Sequence, residues 1–376
     1  MFELEPRGDV LATLAAIGDV GVIGSARARA AREGWDRALA GFAPALRSAD
    51  LGFANLEFPI GEAALVRPER SREFFHDIPL CSALRRAGVR VVSLANNHIM
   101  DCGAEGLVRT LEACHAAGLV PVGAGRDLAQ ACEPAHFEIR GRRLALLAFA
   151  QASDDAATAS GPGVAPLDAE TVAGAVRRAR ESADLVIVSA HWGSMYVEYP
   201  PPRVIEMARV IAQSGADAIL GHHPHVLQGV ERRGRTLVLY SLGDAAFNCR
   251  AGDFHAEVSA DERLDSAVFT LTLASGEHGL EATLLRLDED GFPAPSPPAT
   301  AAAQRARLAR LSAGLSDAGA RFAAESAPLL LRYELQSLAT YVRQRRWGRV
   351  ARLLGSVRPR HLPLLWQGLL RRGRPK

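Results

Sequence analysis

The sequence has almost no lysine and almost no imbalance of charge. Lys376 is the only lysine among 376 residues, so arginine carries the positive charge. Lysine and arginine number 44 against 42 aspartate and glutamate residues, which gives a formal net charge of +2. A domain that binds nucleic acid through a broad surface is usually strongly basic. The charge balance therefore predicts no nucleic-acid partner.

Cysteine is also scarce, and its spacing is irregular. The five cysteines are Cys81, Cys102, Cys114, Cys132 and Cys249. They are far apart, and none forms a Cys-x-x-Cys pair. An odd number without a regular spacing argues against a disulfide framework and favours a reducing compartment.

Long apolar runs are missing as well. The first residues, MFELEPRGDV, lack the basic and apolar regions of a secretory signal. No apolar stretch approaches the roughly 20 residues that a membrane-spanning helix needs. These absences predict a cytoplasmic protein.

Apolar strands alternate with helical stretches through the first two thirds of the chain. Helices are predicted near 30–48, 79–87, 104–117, 169–182 and 203–214. Two later segments, SAVFTLTLAS and GLEATLLRLDED, are predicted to form an antiparallel pair of strands. This order predicts an α/β domain with a mixed sheet.

The stretch GFPAPSPPATAAA indicates a boundary. We predict a domain at 1–290, a Pro/Ala-rich linker at 291–303 and a helical, basic extension at 304–376. Beyond Leu329 the cations far outnumber the single acid, Glu334. This segment fits either a peripheral helix on the anionic inner face of the membrane or a cap whose leucines pack on the domain, and we favour the cap.

Polar side chains follow six of the predicted strands. These strand ends are Gly18-Asp19, Asn55-Leu56-Glu57, Asn96-Asn97-His98 with Asp101, His191-Trp192-Gly193, Gly221-His222-His223-Pro224-His225 and Gly243-Asp244. Ligands of open α/β sheets bind at the carboxyl edge of the strands, and Asp, Glu, Asn and His are ligands of zinc, manganese and iron. Singly, most of these motifs are typical of ordinary turns, and the three imidazoles of GHHPH are the strongest signal. Together they predict a divalent metal site.

These motifs also occur in the order seen in a known family. GD, NLE, SLANNHIMDCG, HWG, GADAILGHHPHVLQGVE and YSLG, spread over residues 14–247, resemble the bacterial capsule-synthesis CapA/PgsA family of poly-γ-glutamate biosynthesis. That family is related to the calcineurin-like metallophosphoesterases. The resemblance implies a four-layer α/β/β/α sandwich of the metallophosphoesterase type, with the active site at one sheet edge and, in this chain, a helical C-terminal extension.

The resemblance further implies roles for individual residues. The implied metal ligands are Asp19, Glu57, Asn97, His191, His223 and His225, with Asn55, Asp101 and His222 as additional candidates. His98 is the implied catalytic imidazole, and Trp192 and Arg203 are candidates for binding an anionic substrate. The cofactor is one or two divalent ions (Mn, Zn or Fe), or no metal at all.

Two positions depart from the family pattern. Calcineurin-like enzymes carry Asp-x-His in the first motif, whereas Gly21 stands two residues after Asp19 here. The family commonly has Asn after SLG, whereas this chain has Asp244. We expect charged neighbours to lower the pKa of Asp244 and keep it ionised. Asp244 is therefore a further catalytic candidate, and the number of metal ions stays open.

Three functions are compatible with these motifs. The leading one is a metal-dependent hydrolase of phosphoester-type bonds, linked to capsule or poly-γ-glutamate biosynthesis, in which His98 protonates or stabilises the departing oxygen. The alternative is a metal-independent acid/base enzyme, such as a peptide epimerase, in which Asp19, Asp244 and the histidines exchange protons. The third is a non-enzymatic scaffold of a capsule-assembly complex. The expected substrate is an anionic small molecule, polymer or peptide.

Overall fold

The computed structural model describes residues 3–151, 155–247 and 263–327 of the chain. The basic segment beyond Leu329, for which two interpretations were open, lies outside the described residues, and so does Cys249. Among the described helices, none is both long enough and apolar enough to cross a bilayer.

The elements follow the alternation that the sequence predicts. The strands are β1 (Val10–Gly21), β2 (Leu51–Leu56), β3 (Val89–Ser93), β4 (Val120–Val122), β5 (Ala124–Gly125), β6 (Ala135–Ile139), β7 (Arg142–Ala150), β8 (Gly163–Val164), β9 (Leu185–His191), β10 (Ala218–His222), β11 (Val230–Arg233), β12 (Thr236–Leu239), β13 (Asp244–Phe247), β14 (Asp265–Ala274), β15 (Gly279–Leu287) and β16 (Pro293–Pro295). The helices are α1 (Gly24–Glu33), α2 (Ala43–Ser48), α3 (Pro79–Ala87), α4 (Gly103–Ala116), α5 (Leu128–Ala131), α6 (Ala169–Ser182), α7 (Pro202–Gln213) and α8 (Pro298–Ala313), with 3₁₀ turns at Trp35–Leu39 and Gly314–Asp317.

One predicted helix is wrong. The stretch 30–48 contains the end of α1, a 3₁₀ turn and α2 instead of one continuous helix. Gly34 follows α1 with a φ of +100°, a conformation that glycine adopts readily and that ends a helix. Pro44 then lies in the first turn of α2, where its missing N–H needs no partner.

Two sheets form the centre of the molecule. The first has the strand order β16-β15-β14-β1-β2-β3-β4, with β13 also paired to β1, and the second has the order β11-β12-β10-β9-β7-β6. Strands β1, β2, β3 and β13 run parallel in the first sheet, and β9 and β10 run parallel in the second. The pair β14-β15 is antiparallel, which confirms the prediction for the two late strands.

The sheets pack face to face, and helices cover their outer sides. Leu144 and Leu146 of β7 lie in the core between the sheets, whereas Ala145 and Leu147 pack in a separate cluster with α6 and α7. This separation follows from the alternation of side chains along a strand. Helices α3 and α4 pack on the first sheet. The architecture is the four-layer α/β/β/α sandwich that the resemblance implies.

The stretch predicted as a linker contributes regular structure. Strand β16 pairs with β15 at the sheet edge, where prolines are tolerated because they need not donate to a neighbour. Helix α8 begins at Pro298, and its Leu308 and Leu311 are buried. Residues 291–303 are therefore part of the folded body. The division into a domain and an extension stays a prediction.

Candidate metal centre

The carboxyl ends of the parallel strands bring the predicted residues to one edge of both sheets. Asp19 on β1 pairs in register with Asn55 on β2 and with Asp244 on β13. In the second sheet, His191 ends β9 beside His222, which ends β10. The two sheets meet at this edge, because His222 Nδ1 lies 2.9 Å from Asp19 Oδ1.

Asn55 holds two buried carboxylates together. Its amide nitrogen donates to Asp19 Oδ1 at 2.8 Å and to Glu57 Oε2 at 2.6 Å, while its oxygen accepts from Asn96. Burial, together with the charge of Asp19, raises the pKa of Glu57 well above its ordinary value. Burial also opposes ionisation of Asp19, but the hydrogen bond and charge of His222 lower its pKa below the usual range. Asn55 thus orients the carboxylates, and a bound cation would relieve their repulsion.

Two groups of side chains have the spacing of a metal site. Glu57, His191 and His223 form the first group, and Asp19, Glu57 and His225 form the second. Within each group, one ligand atom from every residue lies within 4.8 Å of the others. Glu57 belongs to both groups. A carboxylate shared in this way could serve as a ligand to two ions.

Several atoms of the first group are buried without a partner. Glu57 Oε1, His191 Nδ1 and His223 Nδ1 have no hydrogen-bond partner among the described residues. Leaving a buried polar atom unpaired costs on the order of 1–3 kcal/mol. Burial and neighbouring histidines lower the pKa of His223 to about 3 and that of His191 well below its ordinary value, so both rings are neutral and able to bind a cation. These residues fit a divalent cation.

The GHHPH motif folds into an unusual turn. His223 and His225 have φ values of +92° and +56°, a region that few residues other than glycine adopt. The His223 N–H donates to Asp19 Oδ2 at 2.9 Å, which ties the turn to β1. His222 instead packs its ring against Phe53 and contacts Asp19 through Nδ1. Of the three imidazoles, His222 therefore acts as a partner of the Asp19 carboxylate and belongs to neither ligand group.

His98 stands at this edge as one member of a hydrogen-bonded pair. Its Nδ1 lies 2.7 Å from Asp101 Oδ2, and Arg70 Nε lies 2.8 Å from Asp101 Oδ1. Asp101 is fully buried and its carboxylate faces these two partners, so it orients His98 and belongs to neither ligand group. With Nδ1 engaged, Nε2 of His98 is the nitrogen free to exchange a proton with a substrate. The rings of Phe58 and Phe74 pack on the imidazole at centroid distances of 4.7 and 5.1 Å.

The two asparagines before His98 have different tasks. Asn97 Oδ1 lies 2.8 Å from His191 Nε2, so its amide oxygen reaches the first ligand group. Asn96 Oδ1 accepts the backbone N–H groups of His98 and Ile99 and thereby shapes the turn. Asn96 was not among the predicted site residues, although the Asn-Asn pair in the sequence was a signal for it.

Asp244 forms a buried pair with His225. Its Oδ1 lies 2.8 Å from His225 Nδ1. Burial raises the pKa of Asp244 above its ordinary value and outweighs the opposing effect of His225. The prediction of a lowered pKa is therefore wrong, because loss of hydration dominates for a carboxyl group that water cannot reach.

Steric crowding explains why glycine occupies position 21, where calcineurin-like enzymes carry histidine. Gly21 on β1 is paired with Phe247 on β13, and a Cβ at Gly21 would overlap the Phe247 ring. The same ring packs on His225 at a centroid distance of 4.8 Å. Phe247 thus fills the space that a side chain at position 21 would need.

The two predicted substrate-binding residues have different surroundings. Trp192 is only 1% exposed, and its indole N–H donates to the Tyr240 carbonyl oxygen at 2.9 Å. Its prediction as a substrate-binding residue is wrong, because the ring packs in the core behind the second sheet. Arg203 is exposed and donates to the Gly193 carbonyl oxygen. Its charge contributes, after burial and the charge of His225, to the lowered pKa of His223.

A family model described as "Bacterial capsule synthesis protein PGA_cap" matches residues 13–249. The chain belongs to this family. The PGA_cap match runs from before Asp19 to beyond Asp244, so every residue of the candidate centre falls inside it.

Two relatives of the chain are named for capsule or PGA biosynthesis. "Capsule biosynthesis protein CapA" of Bacillus anthracis is 30% identical over 245 residues, covering 63% of this chain and 60% of the relative. "PGA biosynthesis protein CapA" of Bacillus subtilis (strain 168) is 33% identical over 209 residues, covering 54% and 55%. The chain thus matches less than two thirds of either relative. Among solved structures, a 5'-nucleotidase from Candida albicans SC5314 aligns over 78% of this chain and 55% of its own, with 12% identity and a TM-score of 0.46.

Proposed function

We propose that this PGA_cap family member is a metal-dependent hydrolase of phosphoester-type bonds that serves capsule or poly-γ-glutamate biosynthesis. The observation that carries the proposal is Glu57, a buried carboxylate shared by two ligand groups. Its Oε1 has no hydrogen-bond partner among the described residues. The biosynthetic role is proposed from the names of the relatives.

The residues around the centre fall into candidate metal ligands and candidate groups that contact the substrate. Asp19, Glu57, His191, His223 and His225, with the amide oxygen of Asn97, would hold the cation. Bound there, a divalent cation supplies Lewis-acid stabilisation of substrate oxygens and an activated water.

The residues beside these ligands would handle the leaving group and the charge of the substrate. His98, whose Nδ1–H donates to Asp101, can act as the general acid in its doubly protonated form, which passes the Nε2 proton to the departing oxygen and returns to the neutral ring. The guanidinium groups of Arg70 and Arg203 supply positive charge for an anionic substrate.

Metal analysis combined with a phosphodiester assay tests this function. Protein purified without chelator should contain manganese, zinc or iron and hydrolyse bis(p-nitrophenyl) phosphate. Glu57→Gln should lose both the metal and the activity. Glu105→Gln is the matched control, because Glu105 is an exposed residue on α4 whose carboxylate binds Arg109. Wild-type protein that neither holds nor takes up a divalent ion would overturn the proposal.

A metal-independent acid/base enzyme, such as a peptide epimerase, is the second candidate. The observation that favours it is the buried His225–Asp244 pair, which can exchange a proton without a cation. Incubation of chelator-treated protein with a peptide in deuterated water tests this candidate. If chelator-treated protein exchanges the α-proton as fast as untreated protein, the epimerase is favoured over the hydrolase.

A further inference from the structure

The loop at 192–201, between β9 and α7, braces the turn that carries two of the candidate ligands. The Tyr196 N–H donates to the Pro224 carbonyl oxygen at 2.7 Å, between His223 and His225. The Tyr196 ring lies 5.8 Å from the ring of His225. Gln228 adds a second contact, because its side-chain amide donates to the Val197 carbonyl oxygen at 2.7 Å.

Helix α8 and the residues after it hold the other side of this loop. Arg307 Nε donates to Glu198 Oε1 at 2.6 Å. The Glu325 carboxylate accepts the Glu198 backbone N–H at 3.1 Å. The next residue, Tyr199, packs in an apolar cluster with Leu311 of α8. Glu198 is thus fixed through both its side chain and its backbone.

Arg307 also reaches the start of β14. Its Nη1 donates to Asp265 Oδ2 at 3.0 Å. Two residues before Asp265, the guanidinium of Arg263 lies over the Tyr196 ring, 4.8 Å from its centroid. Arg307 therefore links the loop that contains Tyr196 to the segment whose Arg263 covers the Tyr196 ring. The Arg307 side chain is only 11% exposed.

We propose that Arg307 is a positioning residue of the metal centre. By fixing Glu198 and Asp265, it keeps Tyr196 hydrogen-bonded to the turn that presents His223 and His225. Tyr196 has a φ of +62°, and both histidines also have positive φ. Such backbone conformations persist only where the surrounding structure enforces them. The proposal rests on the metal centre of the proposed function and does not require its reaction to be hydrolysis.

The test compares two substitutions on the same helix, Arg307→Gln and Arg305→Gln. Arg305 faces away from the loop and pairs with Glu3 at the surface. Titration with Mn²⁺ should show binding weakened about 10-fold or more in Arg307→Gln, the usual cost of losing a residue that orients a ligand. Hydrogen–deuterium exchange should become faster in the peptide 193–201 and stay unchanged in 51–56, which lies in β2. Arg305→Gln should change neither measurement.

Further variants separate positioning from general stability. Glu198→Gln removes the other member of the ion pair and should reproduce both effects, and it replaces Arg307→Gln if that variant fails to fold. Arg307→Lys keeps the positive charge but loses the planar guanidinium group. Its Mn²⁺ affinity and its exchange rate at 193–201 should lie between those of wild type and Arg307→Gln. Unchanged exchange at 193–201, or faster exchange throughout the protein, would overturn the positioning role. Wild-type protein that binds no Mn²⁺, zinc or iron would overturn the proposed function, and the exchange data would still decide the role of Arg307.

Discussion

At the scale of single residues, the contacts of a buried carboxylate show whether it is a candidate metal ligand or a group that orients its neighbours. Asp101 faces His98 on one oxygen and Arg70 on the other. Glu57 lies equally deep, but among the described residues its Oε1 has no charged or imidazole partner closer than His191 Nε2, at 3.6 Å. A carboxylate that pairs closely through both oxygens, as Asp101 does with His98 and Arg70, holds its neighbours in place. An oxygen without such a close partner, at a cluster of imidazoles, is available to a cation.

His98→Ala should impair turnover without removing metal. His98 belongs to neither ligand group, and its Nε2 can serve as a general acid when the ring is doubly protonated. We expect the rate of phosphodiester hydrolysis to fall by roughly 10²–10⁴-fold. Metal content, measured by mass spectrometry on the same preparation, should match wild type. Loss of metal together with activity would make His98 a ligand.

Asp244→Asn should separate the two proposed functions. The amide oxygen of asparagine can still accept a hydrogen bond from His225 Nδ1, and only the ionisable group is lost. A metal-dependent hydrolase should therefore keep phosphodiesterase activity within about 10-fold, because the general acid is another residue. A metal-independent epimerase should lose α-proton exchange while its thermal unfolding stays unchanged. Full activity in both assays would remove Asp244 from the mechanism.

At the scale of elements, the pairing of β1 with β13 decides what the first motif can contain. The two strands bring Asp19 beside Asp244 and Gly21 beside Phe247. The strand that contributes the extra carboxylate thus also contributes the ring that excludes a side chain at position 21. The two departures from the family pattern are therefore neighbours in space and have a common structural setting.

Gly21→Ala should destabilise the protein because its Cβ overlaps the Phe247 ring. Overpacking of this kind costs about 1–3 kcal/mol of the free energy of unfolding. Phe247→Ala alone should also destabilise, since it leaves a cavity beside His225. The double variant should be more stable than the sum of the two single losses predicts, as chemical denaturation of all four proteins would show. Strict additivity would mean that the two positions do not clash.

At the scale of the whole molecule, a buried network closes the sheet edge opposite the metal centre. Asp217 immediately precedes β10 and accepts the Val186 N–H at 2.8 Å. Its carboxylate also pairs with Arg180 of α6, with Arg235 before β12 and with His278 beside β15. One carboxylate therefore ties both sheets and one outer helix together. Asp217 lies at the opposite end of β10 from His222.

Asp217→Asn should lower stability in a pH-dependent way. Burial opposes ionisation of Asp217, but the hydrogen bond from His278 and the charge of Arg180 lower its pKa below the ordinary value. The ion pairs therefore stabilise the fold above the unfolded-state pKa of about 3.9, and this contribution is lost as pH falls through the folded-state pKa. At pH 7 we expect the free energy of unfolding to fall by about 3–5 kcal/mol.

Urea denaturation at pH 7 and near pH 3 provides the measurement. The difference in the free energy of unfolding between wild type and Asp217→Asn should be smaller near pH 3 than at pH 7. Asp184→Asn is the control at the same edge, because the Asp184 side chain is 35% exposed, and its substitution should cost much less stability than Asp217→Asn. Equal losses at both pH values would exclude an ionic contribution of Asp217.

The sequence by itself determined the order of elements and the strand ends that carry polar groups. Helices α3 and α6 begin and end at the predicted residues, because their apolar periodicity and their terminal residues are local properties. The edge at which Asp19, Glu57 and the histidines meet also followed from the chain, since parallel strands share their carboxyl edge.

Only the tertiary structure decided which of these residues face a cation and which face the protein. The contact between His222 and Asp19 joins residues 203 positions apart. The burial of Trp192 under Tyr240 and the ring of Phe247 over Gly21 are equally non-local. The upward shift of the Asp244 pKa depends on the exclusion of water by the surrounding layers. No local pattern encodes such contacts, because they arise when separate elements pack and the solvent between them is removed.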